Sequence, residues 1–448
     1  MIIKFLGAAG TVTGSSYLLA GSKGTKLLID FGIFQGPKEI SDLNRAKLDF
    51  NPTEVTAVLL THAHLDHCGR LPLLANTSFS GNIYMTEPTR LLTELALVDA
   101  AKVAKEDRRQ KPLFDEDQVN KVIGFMKVID YHKVFSISEF DINYIDAGHI
   151  LGSASIEIID TSSNQKIVFS GDLGNSPEPL ELPTEYVDDA DFIVMESTYG
   201  GRSHSSENAT QVIQKEINTV ESFNSALLIP AFSLERTQVL LHMIDHLKKE
   251  GKVKASTPVY LDSPMAIKAT YIYGQFPNLY NQELSDHNRN DNPFDFPGLT
   301  LVEKAKDSLA ISETRGTKII IAGSGMMNGG RILSHLINYL PIATTRLLTV
   351  GYQAEGTIGR KILDGAREVK VYGKIIPVNA KIRELTSISA HADEPKLINW
   401  LSKPKGVKKV FLIHGENKAR DALRQRIQSR LSIPEIHLPN LNEEVKLD

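Results

Sequence analysis

The sequence predicts a mixed α/β fold in which a domain of short strands is interrupted by an inserted domain with a parallel sheet. Up to about residue 200, short apolar runs and turns alternate in a sandwich-like rhythm, with a helical stretch at 88–105. From 201 to 374, strand patterns alternate with helical ones. Residues suited to one shared site lie on both sides of this block. We therefore expect 1–200 and 375–448 to form one domain and 201–374 to be an insert.

Four strand-to-helix units define the expected insert. In each unit an apolar run is followed, after a short turn, by a run with helical periodicity. Repetition of such units predicts parallel strands with helices covering the sheet. The units are 226–230 with 234–248, 259–261 with 264–273, 318–321 with 330–339, and 346–350 with 357–364.

A cluster of metal-ligand side chains follows the apolar, β-branched run 55–60. His62 and His64 are two residues apart in extended chain, so both point to the same side and can converge on one ion. Asp66 and His67 come as the chain turns, and they can face a second ion. A polar turn rich in histidine is the alternative. Three histidines with an aspartate in this order favour a metal site.

Further ligands must come from elsewhere in the chain, because two zinc ions need about four ligands each. Several other strand-like runs also end at a residue that can bind a metal or act in catalysis. Taken singly, each is an ordinary polar strand end. Their recurrence indicates one site, because a sheet gathers strand ends along one edge. These strand ends carry Asp30, His149, Asp172, Glu196, His391 and His414.

This order of residues resembles the ligand motifs of the metallo-β-lactamase superfamily, and its last three members resemble the further motifs of the β-CASP nuclease branch. The resemblance covers essentially the whole chain. It implies an αββα sandwich with a β-CASP insert and two Zn²⁺ ions per chain. It also implies that one zinc is held by His62, His64 and His149 and the other by Asp66, His67 and His414, with Asp172 bridging both and Asp30 orienting a ligand. A turn-forming aspartate before Phe31 is the alternative for Asp30.

The activity that this resemblance implies is hydrolysis of phosphodiester bonds in single-stranded RNA, by an endonuclease or also a 5′ exonuclease. Asp172 and Asp66 would position the attacking water. His391 has no obvious remaining metal position and suits proton donation to the leaving oxygen near neutral pH. Glu196 would hold that imidazole and keep it charged. The alternative for His391 is a structural histidine.

The turns between strand and helix in the insert are candidate phosphate-binding sites. Such turns present unpaired backbone N–H groups and the positive end of a helix, and small residues allow close approach. At any one turn the same residues are ordinary caps. Taken together, and with a hydrolytic site in the same chain, they favour a track for a sugar-phosphate backbone. The candidates are Ser233, Arg236, Ser263, Ser324, Gly325, Arg331, Thr357 and Arg360.

Composition limits the partners and the compartment. The net charge is −4, so attraction to a polyanion must come from metals and from local patches. One such patch is 356–384, with seven lysines and arginines against three acidic residues. Cys68 is the single cysteine, which excludes an intramolecular disulfide and suits a reducing compartment. Because no apolar run approaches membrane-spanning length, we expect a soluble cytoplasmic protein with no membrane partner; a homodimer stays open.

Three other functions fit parts of the pattern. A small-molecule metallo-hydrolase would share the early ligands, yet it has no use for an insert with candidate phosphate-binding sites. A β-CASP DNA nuclease is closer, but those relatives usually carry valine where this chain has His414. A non-catalytic RNA-binding subunit would have lost ligands, and none is missing here.

Overall fold

The computed structural model describes residues 1–106, 111–177 and 179–448, without the side chain of Glu106. It divides into two compact units, of which the first comprises Met1–Ser203 and His391–Asp448. The second unit is His204–Ala390. It extends past the boundary expected at 374, because the strand Lys381–Glu384 pairs in parallel with Arg346–Thr349 of the same unit.

The first part of the first unit contains eleven strands and four helices among its described residues. The strands are β1 Ile2–Phe5, β2 Tyr17–Ala20, β3 Lys26–Ile29, β4 Ala57–Leu59, β5 Asn82–Met85, β6 Met126–Val128, β7 Phe135–Ile137, β8 Phe140–Asp146, β9 Ala154–Asp160, β10 Gln165–Phe169 and β11 Phe192–Glu196. The helices are α1 Lys38–Ser41, α2 Leu65–Cys68, α3 Glu87–Glu106 and α4 Glu116–Ile123.

The second unit and the return to the first unit follow in chain order. The strands of the second unit are β12 Ala226–Pro230, β13 Val259–Asp262, β14 Leu299–Leu301, β15 Lys318–Ala322, β16 Arg346–Thr349, β17 Glu368–Val371, β18 Lys374–Pro377 and β19 Lys381–Glu384. Its helices are α5 Ala209–Phe223, α6 Arg236–Lys249, α7 Pro264–Tyr273, α8 Gln282–Asn290, α9 Ala305–Ala310, α10 Ile332–Tyr339 and α11 Ile358–Leu363. The first unit resumes with α12 Glu394–Leu401, β20 Lys409–Ile413, α13 Asn417–Arg430, β21 Glu435–His437 and β22 Glu444–Lys446.

Two mixed sheets of seven strands form the first unit. Their orders are β22-β1-β2-β3-β4-β5-β6 and β21-β20-β11-β10-β9-β8-β7. Side chains that alternate along the strands fill the space between the sheets, among them Phe5, Tyr144 and Phe411, all fully buried. Each buried aromatic of this size contributes about 1.5–3 kcal/mol relative to an exposed one.

Helices cover the outer face of each sheet. Leu97 of α3 and Val119 of α4 pack into the apolar cluster on the first sheet. Trp400 of α12 and Leu423 of α13 pack into the cluster on the second sheet. These four layers confirm the predicted αββα sandwich.

The second unit is built on a parallel sheet of six strands in the order β14-β13-β15-β12-β16-β19. All residues of β12 and β15 are buried, which is why these strands are apolar throughout except for Lys318 at the start of β15. The expected parallel sheet with helices is therefore confirmed. An antiparallel hairpin, β17-β18, follows α11 and was not predicted. Among the described residues, no helix is both long and apolar enough to cross a membrane.

Candidate metal centre

Strand pairing in the first unit brings the sequence-predicted residues to neighbouring strand ends. The strands β10, β11 and β20 are parallel neighbours, and Asp172, Glu196 and His414 lie at or just after their carboxyl ends. In the other sheet β3 and β4 are parallel neighbours, and they lead to Asp30 and His62. The carboxyl ends of parallel neighbours meet at one edge of a sheet, as the sequence pattern required.

One group of side chains surrounds Oδ2 of Asp172. Nδ1 of His64 lies 3.1 Å from Nε2 of His62 and 3.2 Å from Nε2 of His149. Oδ2 of Asp172 lies 3.5 Å from the His62 nitrogen and 3.6 Å from the His149 nitrogen. Each of the four residues offers one ligand atom, and these atoms all lie within 4.8 Å of one another. The spacing is suited to a single metal ion.

A second group surrounds Oδ1 of the same carboxylate. Oδ1 of Asp172 lies 3.3 Å from Nε2 of His67 and 3.6 Å from Nδ1 of His414. Nε2 of His414 in turn lies 3.4 Å from Oδ2 of Asp66. Asp66, His67 and His414 also form a group that could hold a metal ion. Asp172 therefore stands between two sets of candidate ligands, with one oxygen toward each.

The carboxylate of Asp172 is buried without a hydrogen bond. Its residue is 1% exposed, and neither oxygen has a hydrogen-bond partner among the described residues. Burial works to raise the pKa of Asp172, but His414 and His67 outweigh it and hold that pKa well below its usual range. An ionised carboxylate without compensation would be strongly destabilising in the interior. A divalent cation would supply that compensation.

Burial favours the neutral form of two histidines of the first group, His62 and His64. Burial lowers the pKa of His62 well below its ordinary value and lowers the pKa of His64 to about 4. His67 behaves differently: burial opposes its protonation, yet Asp172 and Asp30 raise its pKa well above the ordinary value. A neutral imidazole is the form that binds a metal, so metal binding at His67 would release a proton.

Asp30 holds the ring of His67. Its Oδ2 atom lies 2.7 Å from Nδ1 of His67 and also accepts a hydrogen bond from the Thr61 hydroxyl at 2.8 Å. Its Oδ1 atom accepts from the Thr61 backbone N–H at 2.8 Å. Asp30 does lie in a turn, with φ of 56°, but its carboxylate is fully engaged with these two neighbours.

Three hydroxyl side chains contact the centre and were not anticipated. Thr61 joins Asp30 to His62, whose Nδ1 lies 3.1 Å from its hydroxyl. The hydroxyl of Thr198 lies 3.0 Å from Nδ1 of His414, and that of Ser15 lies 3.3 Å from Nε2 of His67. Thr61 directly precedes the histidine motif and could have been found by adjacency. Ser15 carries no sequence signal.

His391 is placed beside both Glu196 and Asp172. Its Nδ1 atom lies 3.2 Å from Oε1 of Glu196 and 3.8 Å from Oδ2 of Asp172. Burial opposes protonation, but the two carboxylates outweigh it and raise the pKa of His391 to about 9. Glu196 itself is fully buried and accepts a hydrogen bond from the Leu173 N–H at 2.7 Å. His391, Asp172 and His414 also form a group with metal-ligand spacing, a second use that the sequence pattern did not suggest.

Two glycines let loops approach the centre closely. A Cβ atom on Gly32 would lie 1.5 Å from the carbonyl oxygen of Asp66, and one on Gly174 would lie 1.7 Å from that of Gly148. Gly174 also forms an antiparallel bridge with His391. Only glycine fits at either position without moving the neighbouring ligand loop.

The second unit brings some of the phosphate candidates together. Ser233 and Ser263 follow β12 and β13, which flank β15 in the sheet, and their hydroxyl oxygens are 3.3 Å apart. Arg236 opens α6 and is 2% exposed. Its Nη2 atom pairs with Glu235 at 2.8 Å, whereas Nη1 has no hydrogen-bond partner within the described residues.

The remaining candidates are engaged locally. Arg331 pairs with Asp262 at 2.6 Å, and Arg360 pairs with Asp364 at 2.9 Å. Thr357 caps α11, since its side chain accepts from the N–H of Arg360. The Ser324 hydroxyl accepts from the N–H groups of Asn328 and Gly329, and a Cβ on Gly325 would lie 2.8 Å from the Phe232 ring. For these five residues the structure provides a capping or packing role, and a phosphate contact stays a prediction.

Three family models match consecutive parts of the chain. The model described as the metallo-beta-lactamase superfamily matches residues 9–217. The Beta-Casp domain model matches 237–362, and the model of a Zn-dependent metallo-hydrolase RNA specificity domain matches 375–439.

Curated relatives align over nearly the whole chain. A ribonuclease of Thermus thermophilus is 36% identical over 433 residues, which are 94% of each chain. The transcription termination factor FttA of Cenarchaeum symbiosum is 33% identical over 99% of this chain and 70% of its own. An RNase J-like protein of Methanocaldococcus jannaschii is 29% identical over 97% of each chain.

One solved structure, of a protein of unknown function from Enterococcus faecalis, has the same fold. It covers 100% of this chain and 99% of its own with a TM-score of 0.57, at 15% sequence identity. At this identity the likeness concerns the fold alone.

Proposed function

Because the chain belongs to the metallo-β-lactamase superfamily, with a β-CASP domain inserted in it, we propose that it is a zinc-dependent ribonuclease that hydrolyses single-stranded RNA. The observation that carries the proposal is the buried carboxylate of Asp172, whose oxygens find no hydrogen bond within the described residues and face two groups of candidate ligands. The RNA specificity model and the ribonuclease relatives support RNA as the substrate class.

Metal dependence follows from the family, and two Zn²⁺ per chain fit the donor set. Imidazole and carboxylate donors suit zinc. In this proposal His62, His64 and His149 would hold one ion, Asp66, His67 and His414 would hold the other, and Asp172 would contribute to both. When bound, the ions supply Lewis acidity that activates water and neutralises charge on the scissile phosphate. Asp30, through its contact with His67, is a positioning residue.

The chain's own residues supply orientation and proton transfer. Asp66 and Asp172 accept hydrogen bonds and so orient the attacking water. His391 donates a proton to the leaving oxygen, a role supported by its contact with Glu196 and by its raised pKa. Glu196 is held by the Leu173 N–H and fixes the orientation of the imidazole.

The second unit binds the RNA backbone in this proposal. Ser233, Ser263 and the buried guanidinium of Arg236 offer donors at one edge of the parallel sheet. The basic segment 356–384 adds five exposed cations that attract the RNA phosphates locally. The net charge of −4 provides no such attraction. These five are Lys361, Arg367, Lys370, Lys374 and Lys381. We place this activity in the cytoplasm, the reducing compartment that the lone Cys68 suits.

The test compares substrates under identical conditions. The zinc-loaded protein is incubated with labelled single-stranded RNA, DNA of the same sequence and a chromogenic lactam, beside the variant Asp172→Asn. We expect the wild-type protein to cleave RNA but neither DNA nor the lactam. We expect Asp172→Asn to lose both RNA cleavage and bound zinc. Equal cleavage of DNA would identify a DNA nuclease, turnover of the lactam a small-molecule hydrolase, and binding without cleavage a non-catalytic subunit. Each of these outcomes overturns the proposal.

Circular RNA separates the two cleavage modes. It has no ends, so only endonucleolytic cutting can linearise it. We propose that the chain cuts internally, and intact circles alongside degraded linear RNA would show exonuclease action alone. Light scattering of the same preparation distinguishes a monomer from a homodimer.

A further inference from the structure

Three histidines meet in the second unit, in a place that the proposed reaction does not use. His242 and His246 lie one turn apart on α6, and His287 lies on α8. Their ring centroids are 4.5, 4.9 and 5.2 Å apart. Each offers one ligand nitrogen, and these three atoms lie within 4.8 Å of one another. Residues four apart on a helix share one face, so α6 presents two donors side by side.

Each ring also has a buried nitrogen without a partner. Nδ1 of His242, Nε2 of His246 and Nδ1 of His287 are inaccessible and make no hydrogen bond within the described part of the chain. His242 is 3% exposed, and the side chain of His287 is 8% exposed. Three buried polar atoms without hydrogen bonds in one place lower the stability of the fold. Buried polar atoms in folded proteins usually have a hydrogen-bond partner. A bound ligand that accepts lone pairs resolves all three at once.

The outer nitrogen of His287 is already engaged by its neighbours. Its Nε2 atom lies 3.1 Å from Oδ2 of Asp245 and 2.8 Å from Nζ of Lys249. Lys249 in turn pairs with the carboxylates of Asp245 and Asp291, at 2.8 and 3.0 Å. The Asp245 carboxylate favours the tautomer of His287 with the proton on Nε2 and the lone pair on Nδ1. The Lys249 ammonium can only donate, so in that tautomer its partners are the carboxylates of Asp245 and Asp291 and not the His287 ring. Metal-bound histidines usually have such a partner.

The chemistry of the cluster favours a cation over an anion. Burial lowers the pKa of His242 to about 3 and also lowers the pKa of His287. A neutral imidazole has no charge to attract phosphate, but it presents a lone pair to a metal ion. Three imidazoles suit zinc and similar divalent transition metals rather than Mg²⁺ or Ca²⁺, which prefer oxygen ligands.

We propose that His242, His246 and His287 form an additional metal site, distinct from the catalytic centre, that binds Zn²⁺ or a similar divalent transition metal. The site joins α8 to α6. Within α8, all of whose residues are described, only Leu284 is fully buried, so apolar packing alone holds this helix weakly. A metal bound across the two helices adds a second point of attachment. Asp245 is a positioning residue for His287.

The test counts metal ions. The full-length protein is stripped with a chelator, reloaded with Zn²⁺, dialysed and analysed by mass spectrometry for zinc per chain. We expect His246→Ala and His287→Ala each to hold one ion fewer than the wild type. The control is Arg289→Ala, an exposed position of the same helix, which should match the wild type. Equal zinc content in all four proteins would overturn the proposal.

Two further measurements do not depend on those variants folding well. Crystals of the wild-type protein grown with Zn²⁺ should give an anomalous peak among the three imidazoles, and its absence would also refute the site. Asp245→Asn should weaken zinc binding at this site about 10–100-fold. Because none of these residues belongs to the catalytic centre, RNA cleavage is scored separately, and either proposal can fail without the other.

Discussion

Nδ1 of His67 lies 2.7 Å from Oδ2 of Asp30, and both side chains are almost completely buried. The carboxylate holds the imidazole proton on Nδ1. The other ring nitrogen, Nε2, lies 3.3 Å from Oδ1 of Asp172, and it is the nitrogen that offers a lone pair once the imidazolium proton is released. One aspartate that touches no candidate metal position thus sets the tautomer and the orientation of a ligand at the centre.

Asp30→Asn should weaken metal binding while the fold is retained. The amide keeps an oxygen for the Thr61 N–H, but it lacks the charge that fixes the proton on His67. We expect zinc affinity to fall about 10–100-fold, measured by competition with a chromogenic chelator. Asp160→Asn is the matched control, since Asp160 is equally buried but lies at the end of β9 remote from the ligands. If the zinc affinity of Asp30→Asn is unchanged, the role of Asp30 is only to form the turn.

His391→Ala should abolish cleavage without removing zinc. Loss of a general acid typically costs about 10²–10⁴-fold in rate. The effect should be much smaller on an aryl phosphodiester, because a good leaving group needs no proton. Loss of zinc in His391→Ala would instead mean that His391 is a ligand, as its spacing to Asp172 and His414 allows. His437→Ala, remote from the centre, should change neither quantity.

Gly174→Ala should disturb the centre through the backbone. A methyl group there would lie 1.7 Å from the Gly148 carbonyl oxygen and 3.0 Å from the backbone nitrogen of His149. Relief of that overlap must move the loop that carries His149. We expect a loss of about 1–3 kcal/mol in the free energy of unfolding, together with lower zinc content. Gly329→Ala is the control, because nothing lies within 4 Å of a Cβ there.

Asp146 should make stability fall as pH rises toward neutrality. Burial raises the pKa of Asp146 to about 7; the hydrogen bond from the Gly148 N–H opposes this and Glu185 adds to it. The folded chain therefore keeps a proton that the unfolded chain loses near pH 4. Its stabilising contribution is full below the unfolded pKa and is lost as pH rises to about 7. Two other ionisable side chains lie near Asp146 and Glu185. His132 is 3.2 Å from Glu185, and Tyr131 interacts electrostatically with both carboxylates.

The variant Asp146→Asn isolates this effect. Its amide can still accept from the Gly148 N–H, but it does not titrate. Urea unfolding at intervals between pH 4 and 8 should show the variant gaining stability relative to the wild type as pH rises. Asp130→Asn serves as control, because that side chain is 76% exposed. A constant difference across the range would contradict the raised pKa.

The candidate ligands could be proposed from the sequence because each is tied to a regular element. His62 and His64 follow a recognisable strand, and Asp172 and His414 end strands that lie parallel in one sheet. The hydroxyl contacts could not be read in this way. Thr198 and Ser15 reach the centre through loop geometry, which has no characteristic spacing.

Two other features escaped the sequence pattern for similar reasons. The pairing of β19 with β16 lies beyond the boundary expected at 374, and the sequence did not indicate it because β19 is only partly buried and lacks the apolar run of a core strand. The histidine cluster of the second unit combines a helical pair, His242 and His246, with a distant partner, His287, on a helix of low hydrophobicity. The spacing of His242 and His246 alone indicates two donors on one face of a helix. Only the three-dimensional structure shows that His287 is the third member of the cluster.

The first unit is made of two chain segments, so its parts are synthesised at different times. Chain growth delivers His62 through Asp172 early, then the entire second unit, and only afterwards His414. A nascent polypeptide stalled inside the second unit still lacks a member of the group around Oδ1 of Asp172. The site that we propose for hydrolysis is therefore assembled only after the second unit has been synthesised and the first unit has resumed.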